Sequence, residues 1–148
     1  MEAIQLVLKR LRSVHQLSQE ALARRVGVTR RAVSRWETGE SMPSPDSLRM
    51  LSKVLDVSVN TLLGSPRALI CQCCGMPMPQ DELLSREPDG SFNEDYCKWC
   101  YADGAFAYPS REALLDFLLA HMPNPEGLSD EARRSQYDSG LRQLKHWQ

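Results

Sequence analysis

The chain has 148 residues, a quarter of them charged, and a formal net charge of −1. That length holds one ordinary domain or two small ones, and the division of charge favours two: residues 1–66 carry ten Lys and Arg against six Asp and Glu, whereas residues 67–148 carry eight against thirteen. The acidic half is a poor match for phosphate backbone, and no apolar run is long enough to span a bilayer, the richest being the seven residues Leu114 to Ala120 with Asp116 among them.

Ile4, Val7, Leu8 and Leu11 recur at helical spacing and predict an amphipathic helix ending near Ser13 or Val14. Short helices follow, three of them opened by the same device, a cap residue with one apolar residue before it and another four positions later. Ser18 stands between Leu17 and Leu22, Thr29 between Val28 and Val33, and Ser58 between Val57 and Leu62. Ser44-Pro45 opens a further helix with proline at its first position, and Gly27 and Gly39 are placed to end two others. Five helices result.

The segments Ser18 to Val26 and Thr29 to Thr38 are joined by a turn at Gly27. A short glycine turn makes two helices cross steeply and leaves the start of the second protruding. Its outward positions are Arg30, Arg31, Ser34 and Arg35, while Val33 and Trp36 point inward. Such a helix fits the DNA major groove, where arginine makes bidentate contacts to guanine. The alternative is an arginine-rich solvated face on a protein-binding module.

Leu17 to Ala23, Gly27-Val-Thr29 and Val33 to Gly39, followed by Pro45 and Leu48 to Leu55, resemble the Cro/C1-type (XRE) helix-turn-helix domain over residues 4–64. The resemblance implies a DNA-binding domain in which Gln19 contacts phosphate and Thr29, Arg30, Arg31, Ser34 and Arg35 meet DNA. It also implies an internal ion pair between Arg12 and Glu37. By the same pattern and its spacing, Trp36 belongs to the core, and His15 reads as a solvated loop residue.

Ser65-Pro66-Arg67 reads as a linker. Beyond it Cys71-Gln-Cys-Cys74 and Cys97-Lys-Trp-Cys100 each set two thiols one tight turn apart, and together they complete a tetrahedral zinc shell of Cys71, Cys74, Cys97 and Cys100. The start of the chain has no secretory pattern, so disulfides are not expected; a redox dithiol or an iron–sulfur cluster is the alternative to structural zinc. Cys73 reads as a spare small side chain at the knuckle tip, or as a ligand that exchanges on oxidation. Between the pairs Asp89-Gly90 signals a turn, hence a small ribbon. Ser110 then caps a helix with Leu114, Phe117, Leu118, His121 and Met122 on one face. Ser129 caps a last helix with a face of Tyr137, Leu141 and Leu144 and Trp147 at its end, weakened by Gly140.

Cys71 to Met78, Asp89-Gly-Ser91, Tyr96 to Gly104 and Leu141 to Trp147 are similar to a small bacterial zinc-ribbon family, from residue 69 onward. That resemblance implies zinc and two trailing helices and says little of activity. Four cysteines fill the shell and leave no open position, and neither His121 nor His146 has a catalytic partner pattern, so no enzyme is expected.

The expected architecture is mainly α: a five-helix Cro/C1-type helix-turn-helix bundle at residues 1–65, then a small four-cysteine zinc ribbon with two trailing helices at residues 69–148. The expected function is a cytoplasmic, nucleoid-associated transcriptional regulator that binds a double-stranded DNA operator as a homodimer. One structural Zn2+ would staple a module for dimerisation, protein-partner binding or sensing. The alternatives are the antitoxin of a toxin–antitoxin pair that represses its own operon, and a zinc- or thiol-responsive sensor.

Overall fold

In the computed structural model, which describes residues 3–148, the chain divides into two units, Met1–Ala68 with Gly90–Phe92, and Leu69–Asp89 with Asn93–Gln148. The first unit contains α1 (Ile4–Val14), α2 (Gln19–Val26), α3 (Arg30–Thr38), α4 (Pro45–Leu55) and α5 (Val59–Leu62). Each helix after the first starts at a hydroxyl that accepts a backbone N–H three residues on: Ser18 from Ala21, Thr29 from Ala32, Ser44 from Ser47 and Ser58 from Thr61. Every such cap satisfies a donor that the helix cannot, which is why the boundaries fall there. At the other ends Gly27 and Gly39 both take φ +84°, a left-handed conformation open to glycine at no steric cost. Asp56 does the same work for α4 at φ +54°, a stop that no glycine advertises.

Leu8, Leu22, Val33, Leu51, Leu55 and Leu62 are fully buried in one core, with Trp36 beside them. The residues flanking the caps, Leu17, Val28 and Val57, pack on its edge and so fix the angle at which each helix enters. The expected linker is held rather than loose: the Asn60 side chain donates to the Arg67 carbonyl at 3.1 Å and accepts the Arg67 N–H at 3.3 Å. His15, expected to be free in solvent, is exposed but has its Nε2 2.9 Å from the Leu55 carbonyl oxygen.

The second unit pairs β1 (Leu84–Arg86) with β2 (Phe92–Cys97), and β3 (Tyr101–Ala102) with β4 (Ala105–Phe106). The second pair is an antiparallel hairpin, Tyr101 opposite Phe106 and Ala102 opposite Ala105. Its two-residue turn, Asp103-Gly104, has positive φ at both positions, as a type I′ turn requires. Two helices follow, α6 (Arg111–His121) and α7 (Asp130–Leu141), capped by Ser110 and Ser129, and then a 3₁₀ turn Lys145–Trp147. Arg111 Nε bonds Asp138 at 2.6 Å between the two helices. The buried Arg133 guanidinium donates to the carbonyls of Leu119 and Met122, the orphan acceptors at the end of α6.

Two expectations about these helices are corrected. The buried face of α6 is Leu114, Leu115 and Leu118, while Phe117, His121 and Met122 are exposed, so the helix is turned toward Leu115. And α7 stops at Leu141: Leu144 and Trp147 lie beyond its end, in a turn that carries them back to the first cysteine pair.

Candidate nucleic-acid interface and metal centre

Gly27 turns α2 into α3, and the core contacts of Val33 and Trp36 hold α3 by its inner face. Thr29, Arg30, Arg31 and Arg35 are exposed along the rest of α3, with Ser34 half-buried, and Gln19 is half-buried at the first position of α2. The exposed backbone N–H groups and dipole of two helix starts add positive potential to that of the arginines. Only one acidic contact to these arginines is seen among the described residues, Arg35 Nε to Glu40 at 3.9 Å with both side chains well exposed, a separation worth little in water.

Behind α3, Arg12 grips Glu37 bidentately, Nε to Oε2 and Nη2 to Oε1 at 2.9 Å each, and its third donor reaches the Leu17 carbonyl at 2.9 Å. The Glu37 side chain is 1% exposed and that of Arg12 19%. The hydrogen bond to Glu37 holds the Arg12 guanidinium above its ordinary range, against the desolvation that opposes it. One ionic clasp therefore joins α1, the turn before α2, and the end of α3. Its effect on DNA contact is indirect, through the seating of α3.

In the second unit the backbone of the first knuckle closes on itself. Cys71 N–H donates to the Met76 carbonyl, Gly75 N–H to the Cys71 carbonyl, and Gly75 takes φ +82°. The N–H groups of Cys73, Cys74 and Cys97 point at the Cys71 sulfur at 3.3 to 3.5 Å, the arrangement that stabilises a thiolate ligand. The sulfurs of Cys71, Cys74, Cys97 and Cys100 all lie within 4.8 Å of one another. A tetrahedral ion with metal–sulfur bonds of about 2.3 Å needs sulfur–sulfur edges of about 3.8 Å. The Cys74–Cys97 edge is 3.9 Å, which fits that shell and is far too long for a disulfide.

Thiol hydrogen bonds, chiefly from Cys100, hold Cys71 well below the ordinary thiol range and lower Cys97 to about 7. Cys100 is raised in turn, chiefly by its hydrogen bond with Cys71. Such a cluster concentrates negative charge where a cation can replace the shared protons. The four cysteines are close enough together to hold one metal ion.

Cys73 lies outside that group of four yet is fully buried, unlike a residue at an open knuckle tip. The reason is the C-terminal turn. The Trp147 indole N–H donates to the Cys73 carbonyl at 2.7 Å, His146 N–H to the Gln72 carbonyl at 3.1 Å, and Lys145 Nζ meets Asp95 at 2.8 Å. Sequence reading missed this return of the chain, which only tertiary packing reveals. It also missed the β3–β4 hairpin, for which the Asp103-Gly104 dipeptide was a sufficient signal.

Comparison with known proteins matches both halves. Residues 70–148 match the family described as "Putative zinc ribbon domain", and residues 8–62 match a helix-turn-helix family. The HTH-type transcriptional activator BcrR of Enterococcus faecalis is 41% identical over 57 residues, 38% of this chain and 28% of that protein. The uncharacterized HTH-type transcriptional regulator YobD of Bacillus subtilis is 35% identical over 57 residues, 38% of this chain and 51% of that protein. The chain thus spans between about a quarter and a half of the length of these curated relatives. Among solved structures, the P22 c2 repressor bound to a synthetic operator is 32% identical, covering 44% of this chain and 98% of that one with a TM-score of 0.43. The SinR–SinI complex is 38% identical, covering 40% and 59% with a TM-score of 0.39. The chain belongs to the zinc-ribbon family that its second half matches, and that ribbon is joined to a helix-turn-helix domain of the Cro/C1 type.

Proposed function

We propose that the protein is a sequence-specific DNA-binding transcriptional regulator, not an enzyme, with a DNA-reading domain at residues 1–65 and a zinc-held domain at residues 69–148. The observation that carries this reading is the seating of α3, whose inner face is locked by Val33, Trp36 and the Arg12–Glu37 clasp while Arg30, Arg31 and Arg35 stay exposed. In the bound state α3 enters the major groove. Arg31 and Arg35 read base edges, Arg30, Thr29 and Ser34 support them, and Gln19 at the start of α2 meets phosphate and sets the register. Kinship with HTH-type transcriptional regulators supports the assignment. A homodimer would read two half-sites about 34 Å apart on one face of the duplex.

The second domain carries one zinc ion held by Cys71, Cys74, Cys97 and Cys100. The ion would tie the two knuckles together; the chain's own residues bury three of the four cysteines and aim backbone N–H groups at the Cys71 sulfur. Its place in regulation is dimerisation, partner binding or sensing, in a protein that acts on the nucleoid. No described helix is long and apolar enough to cross a membrane.

Selection from a random DNA library tests the reading. The wild type should enrich a near-palindromic motif, and Arg31→Ala and Arg35→Ala should each lose about 1 to 3 kcal/mol of discrimination at particular base pairs. Gln19→Ala should weaken good and poor sites alike. Failure to enrich any motif, or an unchanged motif in both arginine variants, removes α3 as the reader.

A further inference from the structure

We propose that the groove between the cysteine cage and helices α6 and α7 is a binding site for an uncharged, apolar small molecule. The cavity measures about 1020 Å³, the upper end of the range that encloses such ligands. No Asp, Glu, Lys, Arg or His is among its lining residues; besides the cysteines, its side chains with a polar group are Gln136, Trp99 and the hydroxyl-bearing Tyr108 and Tyr137. An anion would be stripped of water there against the negative cysteine cage with no basic lining side chain to meet it, whereas an uncharged ligand matches the lining.

The groove also holds apolar surface that a protein without a ligand has reason to bury. Ile70, Trp99, Phe117 and Met122 line it and remain 46%, 56%, 40% and 41% exposed. On their other face the same helices carry the ion pairs Arg111–Asp138 and Arg134–Asp116. Of the five large apolar side chains left exposed in this unit, all but Phe106 therefore gather in one concavity, the form of a small-ligand site, rather than spread over the wide area that a folded partner covers.

Gly140 gives an independent indication. It lies within α7, where glycine costs about 1 kcal/mol relative to alanine. It lines the groove, has no strained φ to justify it, and a Cβ built there meets no atom within 4 Å. The helix thus gives up stability at a position where an added side chain would enter the open space.

The floor of the groove includes Cys74, the least buried of the four candidate ligands, with Cys97 and Cys100. A bound molecule lies against the cage, so occupancy should also slow removal of the metal. This last point rests on the zinc assignment, and the two are separated by measuring metal content and ligand binding in the same samples.

The experiment is titration of the zinc-loaded full-length chain with N-phenyl-1-naphthylamine, an uncharged apolar dye, followed by its fluorescence. We expect saturable binding of one dye per chain. Gly140→Leu, which fills the groove and favours the helix, should weaken it at least tenfold at unchanged metal content, and Phe117→Asp on the exposed rim should weaken it too. Ser139→Leu, which adds the same bulk to the same helix outside the groove, should bind as the wild type does. Absence of saturable binding by metal-loaded wild type, or equal binding by the Gly140 and Phe117 variants, overturns the proposal. So does a wild type that excludes the dye and sediments as a dimer dissociated by Gly140→Leu, which assigns the groove to a second copy of the chain.

Discussion

The two units are of similar length and are held together by different means. In the first, α1 to α5 converge on a continuous apolar core, each later helix is capped by its own hydroxyl, and one ionic clasp ties three segments. In the second, the four strands are short, the apolar core is concentrated on α6, and two knuckles meet through sulfur. Burial can fold a small helical bundle unaided, but a ribbon of short strands does not bury enough to offset its lost conformational entropy. The difference therefore makes a functional division: the DNA-facing half should be indifferent to metal, and the other half should depend on it.

The largest effect should come from the cage. Cys97→Ser should abolish metal binding and unfold the second unit, since for such sites the binding energy, on the order of 10 kcal/mol, is the folding energy. Cys73→Ser, outside the cage, should leave metal content unchanged. Metal analysis with far-ultraviolet dichroism decides, and equal effects would mean that the ligand set is misassigned.

Within the first unit, Glu37→Gln should cost about 3 kcal/mol, because it leaves the Arg12 charge largely buried and unpaired, although the residual exposure of Arg12 softens the loss. Thermal melts should show this drop at unchanged metal content. Ser18→Ala, which removes one cap, should cost about 1 kcal/mol by the same measure. Glu40→Gln should change stability by less than about 0.5 kcal/mol, since its contact with Arg35 is long and exposed.

Acid should loosen α6 from α7 in the second unit. Hydrogen bonds from Arg142 and Arg111 hold the Asp138 carboxyl below its ordinary value. A lowered carboxyl contributes stability that is present above the ordinary carboxylate range and fades as pH falls through the lowered value. Asp138→Asn should remove this part of the acid response, as pH-dependent hydrogen exchange in α7 would report.

The sequence was most legible where local chemistry decides. Ser18, Thr29, Ser44, Ser58, Ser110 and Ser129 each announce a helix start because the cap is built from residues three apart, and C-x-x-C spacing brings two sulfurs together within one turn. It was less legible where distant segments decide. The stop at Asp56 uses a residue that tolerates left-handed φ without requiring it. The rotation of α6 toward Leu115 depends on what it packs against, and the exposure of Phe117 follows from that rotation. The burial of Cys73 depends on Trp147, 74 residues away, and periodicity cannot carry information over that distance.

The central claim is that the two halves are stabilised independently, one by its core and one by its metal. Amide hydrogen exchange on the full chain, before and after removal of metal by a strong chelator, tests it most directly. The account predicts that protection collapses across Cys71 to Trp147 while α1 to α4 keep theirs, and that Arg31 and Arg35, the proposed base readers, remain on an intact helix. Retention of protection in the second half without metal, or loss of protection in α3 along with it, would contradict the account.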